Sequence, residues 1–163
     1  MRAFTKVGDI FEISLQNGKS RYFQYIAKDR TNLNADVIRV FRRSYVEIDA
    51  IQIDTIISDE IEYYLHTSVS AGVKIGVWKK FGSSQNLGNL DISFRISLDS
   101  FESELNKAAS KKWVVWQLNK ERCFVGRLPG SYHDAGIGMV YSPITIYNWL
   151  QTGKYPYENY PTF

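Results

Sequence analysis

The sequence predicts an α+β domain in which β dominates: a strongly bent, mainly antiparallel sheet, partly barrel-like, with about two helices. Three observations carry this. The N-terminal region reads as a hairpin with apolar groups on both faces, so its sheet must be covered twice or curl on itself. Aromatic residues make up 15% of the chain, with eleven Tyr, and aromatics favour strands. Helix-start signals of the capping kind stand out in two places, at Asp99 and at Ser142.

The hairpin comes first. Residues 7–15 and 19–26 flank Asn17-Gly18, a pair suited to a tight two-residue turn whose central residues need positive φ. That turn sets Ile13 opposite Tyr22, Glu12 opposite Phe23, Phe11 opposite Gln24 and Ile10 opposite Tyr25. Val7, Phe11, Ile13 and Leu15 then share one face, and Ile10, Glu12 and Ser14 the other. A loop at 29–34 leads to a β-branched strand at 36–41. Residues 46–57 alternate closely enough, with Val46, Ile48, Ile51, Ile53 and Ile56 among polar neighbours, to predict a strand with an irregular start. Residues 61–66 read as another short strand.

A turn-rich region around Gly72, Gly76, Gly82 and Gly88 holds Trp78, read as a core anchor. Residues 92–96 alternate cleanly as a strand. Asp99-Ser100-Phe101-Glu102 is an Asp version of the capping box, with Phe101, Leu105, Ala108 and Ala109 on one helical face, so a helix is expected at 100–110. Residues 113–118 and 123–128 form a hairpin around 119–121. Ser142-Pro143 opens a last helix with the buried stripe Ile146, Trp149 and Leu150, closed by Gly153. Residues 154–163 are expected as an extended arm on a single domain spanning 1–163.

Composition bounds the function. The chain is 44% hydrophobic and 23% charged, which are globular values. Its 163 residues fit one domain of roughly 100–200 residues. The single cysteine, Cys123, rules out an internal disulfide, fits a reducing compartment and sits in a strand pattern that reads as core. The N-terminus carries no apolar signal-peptide region, and no apolar run approaches the roughly 20 residues of a membrane span. A soluble cytoplasmic protein is expected. The net charge of +3 says little, but its distribution is uneven. Residues 1–45 hold nine Lys/Arg and four acids, whereas residues 44–73 hold no Lys or Arg and six acids: Glu47, Asp49, Asp54, Asp59, Glu60 and Glu62.

The chemistry-bearing motifs are absent. His66 and His133 stand far apart, and no Cys or acidic spacing suits a metal. His133-Asp134 reads as a solvated loop pair, and Gly136-Ile137-Gly138 lacks the third glycine of a dinucleotide site. Asp59, Glu60 and Glu62 lack the Gly-containing loop of a calcium site. The chain is therefore expected to be no enzyme and to use no cofactor or metal.

Gly8, Asp9, Ile13, Leu15, Gly18, Tyr22 and Gln24 resemble the opening motif of the immunity protein 26 family of bacterial polymorphic toxin systems. A second echo is Gly76-Val77-Trp78-Lys79-Lys80-Phe81-Gly82, similar to that family's Gly-x-Trp with a glycine shortly after. Ser14 departs from the pattern, standing where many relatives have proline. The resemblance implies stoichiometric binding of a cognate toxin domain, which needs surface complementarity and no catalytic group. The six acids of residues 47–62 are the expected toxin contacts, since charge complementarity speeds association with a basic partner. The alternative is a nucleic-acid-binding module using Arg21, Tyr22, Tyr25, Arg39, Arg42 and Arg43 to stack bases and track phosphates.

Overall fold

The computed structural model describes residues 4–46, 50–99, 109–157 and 160–163. It is α+β and β-dominant. The first sheet is built from β1 (Asp9–Ser14), β2 (Lys19–Asp29), β3 (Ala35–Phe41), β4 (Tyr45–Val46), β5 (Ile61–Thr67) and β6 (Lys79–Ser83). Its order is β5-β3-β2-β1-β6, and β4 pairs with the start of β2 beyond the end of β3. Every pairing in it is antiparallel. The second sheet joins β7 (Ser93–Ser97), β8 (Trp113–Gln117), β9 (Cys123–Gly126) and β10 (Gly136–Ile137) in the order β10-β7-β8-β9. Only β10 runs parallel to its neighbour there. Among the described residues the α-helices are α1 (Ile53–Ile57), α2 (Val69–Lys74) and α3 (Pro143–Thr152). Among the described residues no helix is long and apolar enough to cross a membrane.

The first sheet is covered on both faces, as its two-sided apolar pattern requires. One face places Phe11, Ile13, Phe23, Tyr25, Ile38, Val40 and Leu65 against Val69 and Trp78 and against Ile146, Trp149 and Leu150 of α3. The other face packs in two patches. Ile26 and Val37 meet Phe94, Val114 and Trp116 of the second sheet and Ile92 just before β7. Ile10, Tyr22, Phe41 and Tyr45 meet Ile56 of α1. Each fully buried Phe or Ile here contributes about 1.5–3 kcal/mol. The sheets do not close into a barrel. They are joined where Trp116 Nε1 of β8 donates to Asp29 Oδ2 of β2 at 3.0 Å, and the chain leaving β10 is held to β5 where Tyr141 N–H donates to the His66 carbonyl at 2.9 Å beside a lone bridge from His66 to Val140.

The N-terminal hairpin exists, but its register differs by one from the two-residue turn expected. Ile13 faces Arg21, Glu12 faces Tyr22, Phe11 faces Phe23 and Ile10 faces Gln24. The loop has three residues, Gln16-Asn17-Gly18, closed by Leu15 N–H to the Lys19 carbonyl at 2.8 Å. Gly18 alone takes positive φ, at 77°. Asn17 stays in ordinary backbone space and its Oδ1 accepts Lys19 N–H at 3.0 Å. This is a turn followed by a left-handed glycine, the usual three-residue hairpin, and not the mirror-image two-residue turn.

Three further expectations need correction. Residues 46–57 are not a strand: after β4 comes the short helix α1, because Ile53, Ile56 and Ile57 repeat at helical spacing and dock on Tyr22 and Phe41. The glycine-rich stretch is not turn alone, since α2 and β6 flank Trp78. Cys123 is exposed and not core, because β9 is the outer strand of its sheet. The helix expected at 100–110 falls almost wholly on residues 100–108, outside the described residues.

The last helix follows its signals closely. Ser142 Oγ accepts Thr145 N–H at 3.2 Å, Pro143 occupies the first turn, and Gly153 caps the end at φ 72°. Beyond it, Tyr155 packs edge-on to Trp149 at 5.0 Å, and Ser110 N–H donates to the Thr162 carbonyl.

Candidate functional site

Two arrangements place chemistry-bearing side chains: a buried polar framework around β1 and β2, and an aromatic cleft where the two sheets meet.

The framework starts at Gly8, whose φ of 103° and whose approach to the Ser84 carbonyl leave no room for a side chain. Gly8 donates to the Tyr25 carbonyl at 2.8 Å and accepts from Ser84 N–H at 2.9 Å. Gln24, fully buried, donates from Nε2 to the carbonyls of Gly8 and Ser84, at 3.2 and 3.0 Å. Its Oε1 accepts from Arg39 Nε at 2.9 Å. Arg39 in turn donates to the Asn86 carbonyl at 2.8 Å and lies over the Phe41 ring. Among the described residues no carboxylate pairs with it, and burial pulls its guanidinium below the usual range. Asp9, also fully buried, accepts Lys6 N–H and pairs with Lys80 Nζ at 3.0 Å. Trp78 donates from Nε1 to the Val69 carbonyl at 2.9 Å and meets Phe23 edge-on. Glycine at position 72 is what admits its indole, since a Cβ there would overlap the ring.

A second buried polar group lies between the sheets. Asp29 Oδ2 receives His66 Nε2 at 2.9 Å and Trp116 Nε1 at 3.0 Å. The carboxylate fixes the imidazole proton on Nε2, which leaves Nδ1 buried and without a partner among the described residues. Burial pushes the His66 pKa down, with Asp29 opposing it.

The cleft has a volume of about 470 Å³ and runs between the free edge of β5 and the β10 edge of the second sheet. Tyr63, Tyr64, Tyr141, Trp149 and Tyr155 form its walls. Gly136 permits the edges to approach, because a Cβ there would sit 3.0 Å from the Tyr64 carbonyl. The phenols of Tyr141 and Tyr155 meet at 2.9 Å. Burial raises both, Tyr155 to about 12. Glu62 and Asp134 line the same cleft, and so does Arg95. Arg95 Nε donates to the Ala135 carbonyl at 3.1 Å, and its Cζ lies 5.2 Å from the Trp113 ring centre and 5.0 Å from that of Phe163. The cleft is concave, largely aromatic and equipped with a few charged groups, which is the usual make-up of a binding site.

The expected contact acids fare unevenly. Glu47 and Asp49 lie outside the described residues. Asp54 is exposed at the start of α1. Asp59 accepts N–H groups from Arg43 and from Glu60, at 2.7 and 2.8 Å. Glu60 pairs with Arg42 and Glu62 with Arg21, each at 3.1 Å. The basic N-terminal segment and the acidic segment are thus neighbours through β3 and β5, and the expected unpaired negative patch is partly neutralised. The nucleic-acid reading loses its stacking face: Arg21, Tyr22, Tyr25 and Arg39 are all buried. Only Arg42 and Arg43 of that set are exposed.

Sequence reasoning missed Arg95 and the tyrosine walls. The signal available was a charged residue inside the clean alternation of Ser93–Ser97 and the Tyr-rich tail after Gly153. Among the described residues no group of three or more His, Cys, Asp or Glu is placed to hold a metal ion. Comparison with protein-family models, curated proteins and solved structures finds no match to this chain.

Proposed function

We propose that this chain is a toxin-neutralising protein of the immunity protein 26 kind, acting in the bacterial cytoplasm by stoichiometric binding of a cognate toxin domain. One observation carries the reading. The two sequence echoes, residues 8–24 and residues 76–82, are far apart in the chain but form one structural unit. β1 pairs with β6, with Phe11 opposite Lys80 and Glu12 opposite Lys79. The Asp9–Lys80 ion pair joins the echoes directly, and Gln24 ties Gly8 to Ser84 just beyond the second. Two short motifs that each resemble the family's pattern and then meet in space support the reading more strongly than either does alone.

Within this reading Gly8, Asp9, Gly18, Gln24 and Trp78 build the scaffold, while exposed residues elsewhere make the contact. The ion pairs at Glu60 and Glu62 redirect the expected interface. The least compensated of the described acids in the segment is Asp54, and the cleft beside Glu62 offers the aromatic side chains that anchor protein interfaces.

The test is co-expression with the toxin domain encoded beside this gene. Rescue of growth, with a one-to-one complex recovered on purification, is expected. Equal killing with and without this chain refutes the proposal.

A further inference from the structure

The geometry points to the cleft between β5 and β10 as a site for a small aromatic carboxylic acid, held by Arg95 and the surrounding tyrosine rings. This inference does not rest on the toxin reading. Its volume of about 470 Å³ fits a small molecule, and its walls at Tyr63, Tyr64, Trp149 and Tyr155 suit a planar apolar body.

Arg95 selects for an anion. Arg95 is half-buried in the cleft wall. Its Nε is used by the Ala135 carbonyl, and its plane is held by Trp113 and Phe163. Among the described residues no carboxylate lies within ion-pair distance, and the terminal Nη groups make no hydrogen bond. A guanidinium held in place by stacking, with its fork unused, is prepared for a planar carboxylate. Glu62 does not compete, because Arg21 holds it at 3.1 Å. Among the described residues Asp134 is the one other acid of the cleft; it is exposed and lies outside ion-pair distance. A single cation with an acid near the rim favours a monoanion over a phosphate dianion. The hydroxyls of Tyr141 and Tyr155 bond to each other at 2.9 Å, so the pair has at most one further O–H to offer to the same space.

The test is isothermal titration with 4-hydroxyphenylacetate and with 4-hydroxyphenylacetamide, which differ in charge and little in shape. The acid is expected to bind at least about tenfold more tightly than the amide, and Arg95→Gln to abolish that preference. Because Arg95 also stacks on two rings, the exposed Asp134→Asn provides an independent readout. It should tighten the acid by about threefold and leave the amide unchanged, since it removes a nearby negative charge without touching the core. Amide H–N shifts should cluster at residues 62–65 and 135–137. Equal affinity of acid and amide overturns the assignment, as does no heat from either up to about 10 mM. An unchanged acid affinity in Asp134→Asn, or a preference that survives in folded Arg95→Gln, does the same.

Discussion

Replacing Gln24 with Leu tests whether the framework beneath β1 holds the fold. Leu matches the side chain's bulk and fits the buried site, so packing changes little. Three hydrogen bonds go: two donated to the Gly8 and Ser84 carbonyls and one accepted from Arg39 Nε. Each carbonyl left short of a donor costs about 1 kcal/mol. The Arg39 bond involves a buried cation whose remaining hydrogen-bond partner among the described residues is the Asn86 carbonyl, and losing it costs about 1.5–3 kcal/mol. Allowing about 1 kcal/mol for the apolar gain, the net loss is about 3 kcal/mol. That is a large share of the roughly 5–15 kcal/mol typical of a domain. Urea unfolding followed by tryptophan fluorescence should show the midpoint fall with the slope unchanged. Gln24→Glu separates the two halves, since it keeps an acceptor for Arg39 while removing both donors. A loss below about 1 kcal/mol for the Leu variant would mean that the carboxamide is incidental and that strand pairing alone holds β6 to β1.

Gly72→Ala should destabilise by about 2–4 kcal/mol, because the new methyl displaces the Trp78 indole and with it the bond to the Val69 carbonyl; a red-shifted tryptophan emission checks the displacement, and an unshifted spectrum with full stability refutes it. Acid should also weaken the fold through His66. Its folded pKa lies below the unfolded value near 6.5, so between the two the unfolded chain binds more protons and stability falls as pH drops through that window. Urea midpoints measured from pH 7.5 down to pH 5 should decline, and His66→Gln, which keeps a donor for Asp29, should flatten the decline. A wild-type midpoint that rises on acidification contradicts this sign.

The legible parts of the fold were those written in local chemistry. The 143–152 helix was readable because Ser142, Pro143 and Gly153 each act through backbone groups next to them. The strand at 36–41 was readable from its β-branched residues and the strand at 92–96 from alternation. The hairpin register was not, because Asn17-Gly18 serves a two-residue turn or the end of a three-residue one, and the choice depends on Ile13 and Arg21 finding their neighbours. Residues 53–57 sit between periods: Ile51, Ile53 and Ile56 suggest a strand, while Ile53, Ile56 and Ile57 suit a helix, and docking on Tyr22 decides. The candidate site was the least legible. The cleft draws Tyr63 and Tyr64 from β5, Arg95 from β7, Gly136 from β10 and Trp149 from α3. Nothing local marks these as neighbours; the seam between the sheets creates the relation. The pairing of Glu62 with Arg21 belongs to the same class, since it needs β2, β3 and β5 assembled in order.

The exposure of Cys123 has a practical side. The chain has one thiol, and it stands on β9, with β8 and β7 between it and the cleft edge at β10. A maleimide dye or a nitroxide attached there labels the native sequence at a single defined point, with no engineered cysteine. The tag projects from the outer edge of the second sheet, so either a toxin domain or a small acid can be titrated by anisotropy or paramagnetic broadening while the cleft stays open. The same outward position opens the unlabelled protein to air oxidation into disulfide-linked pairs joined at β9, so preparations for such work belong in reductant until the moment of conjugation.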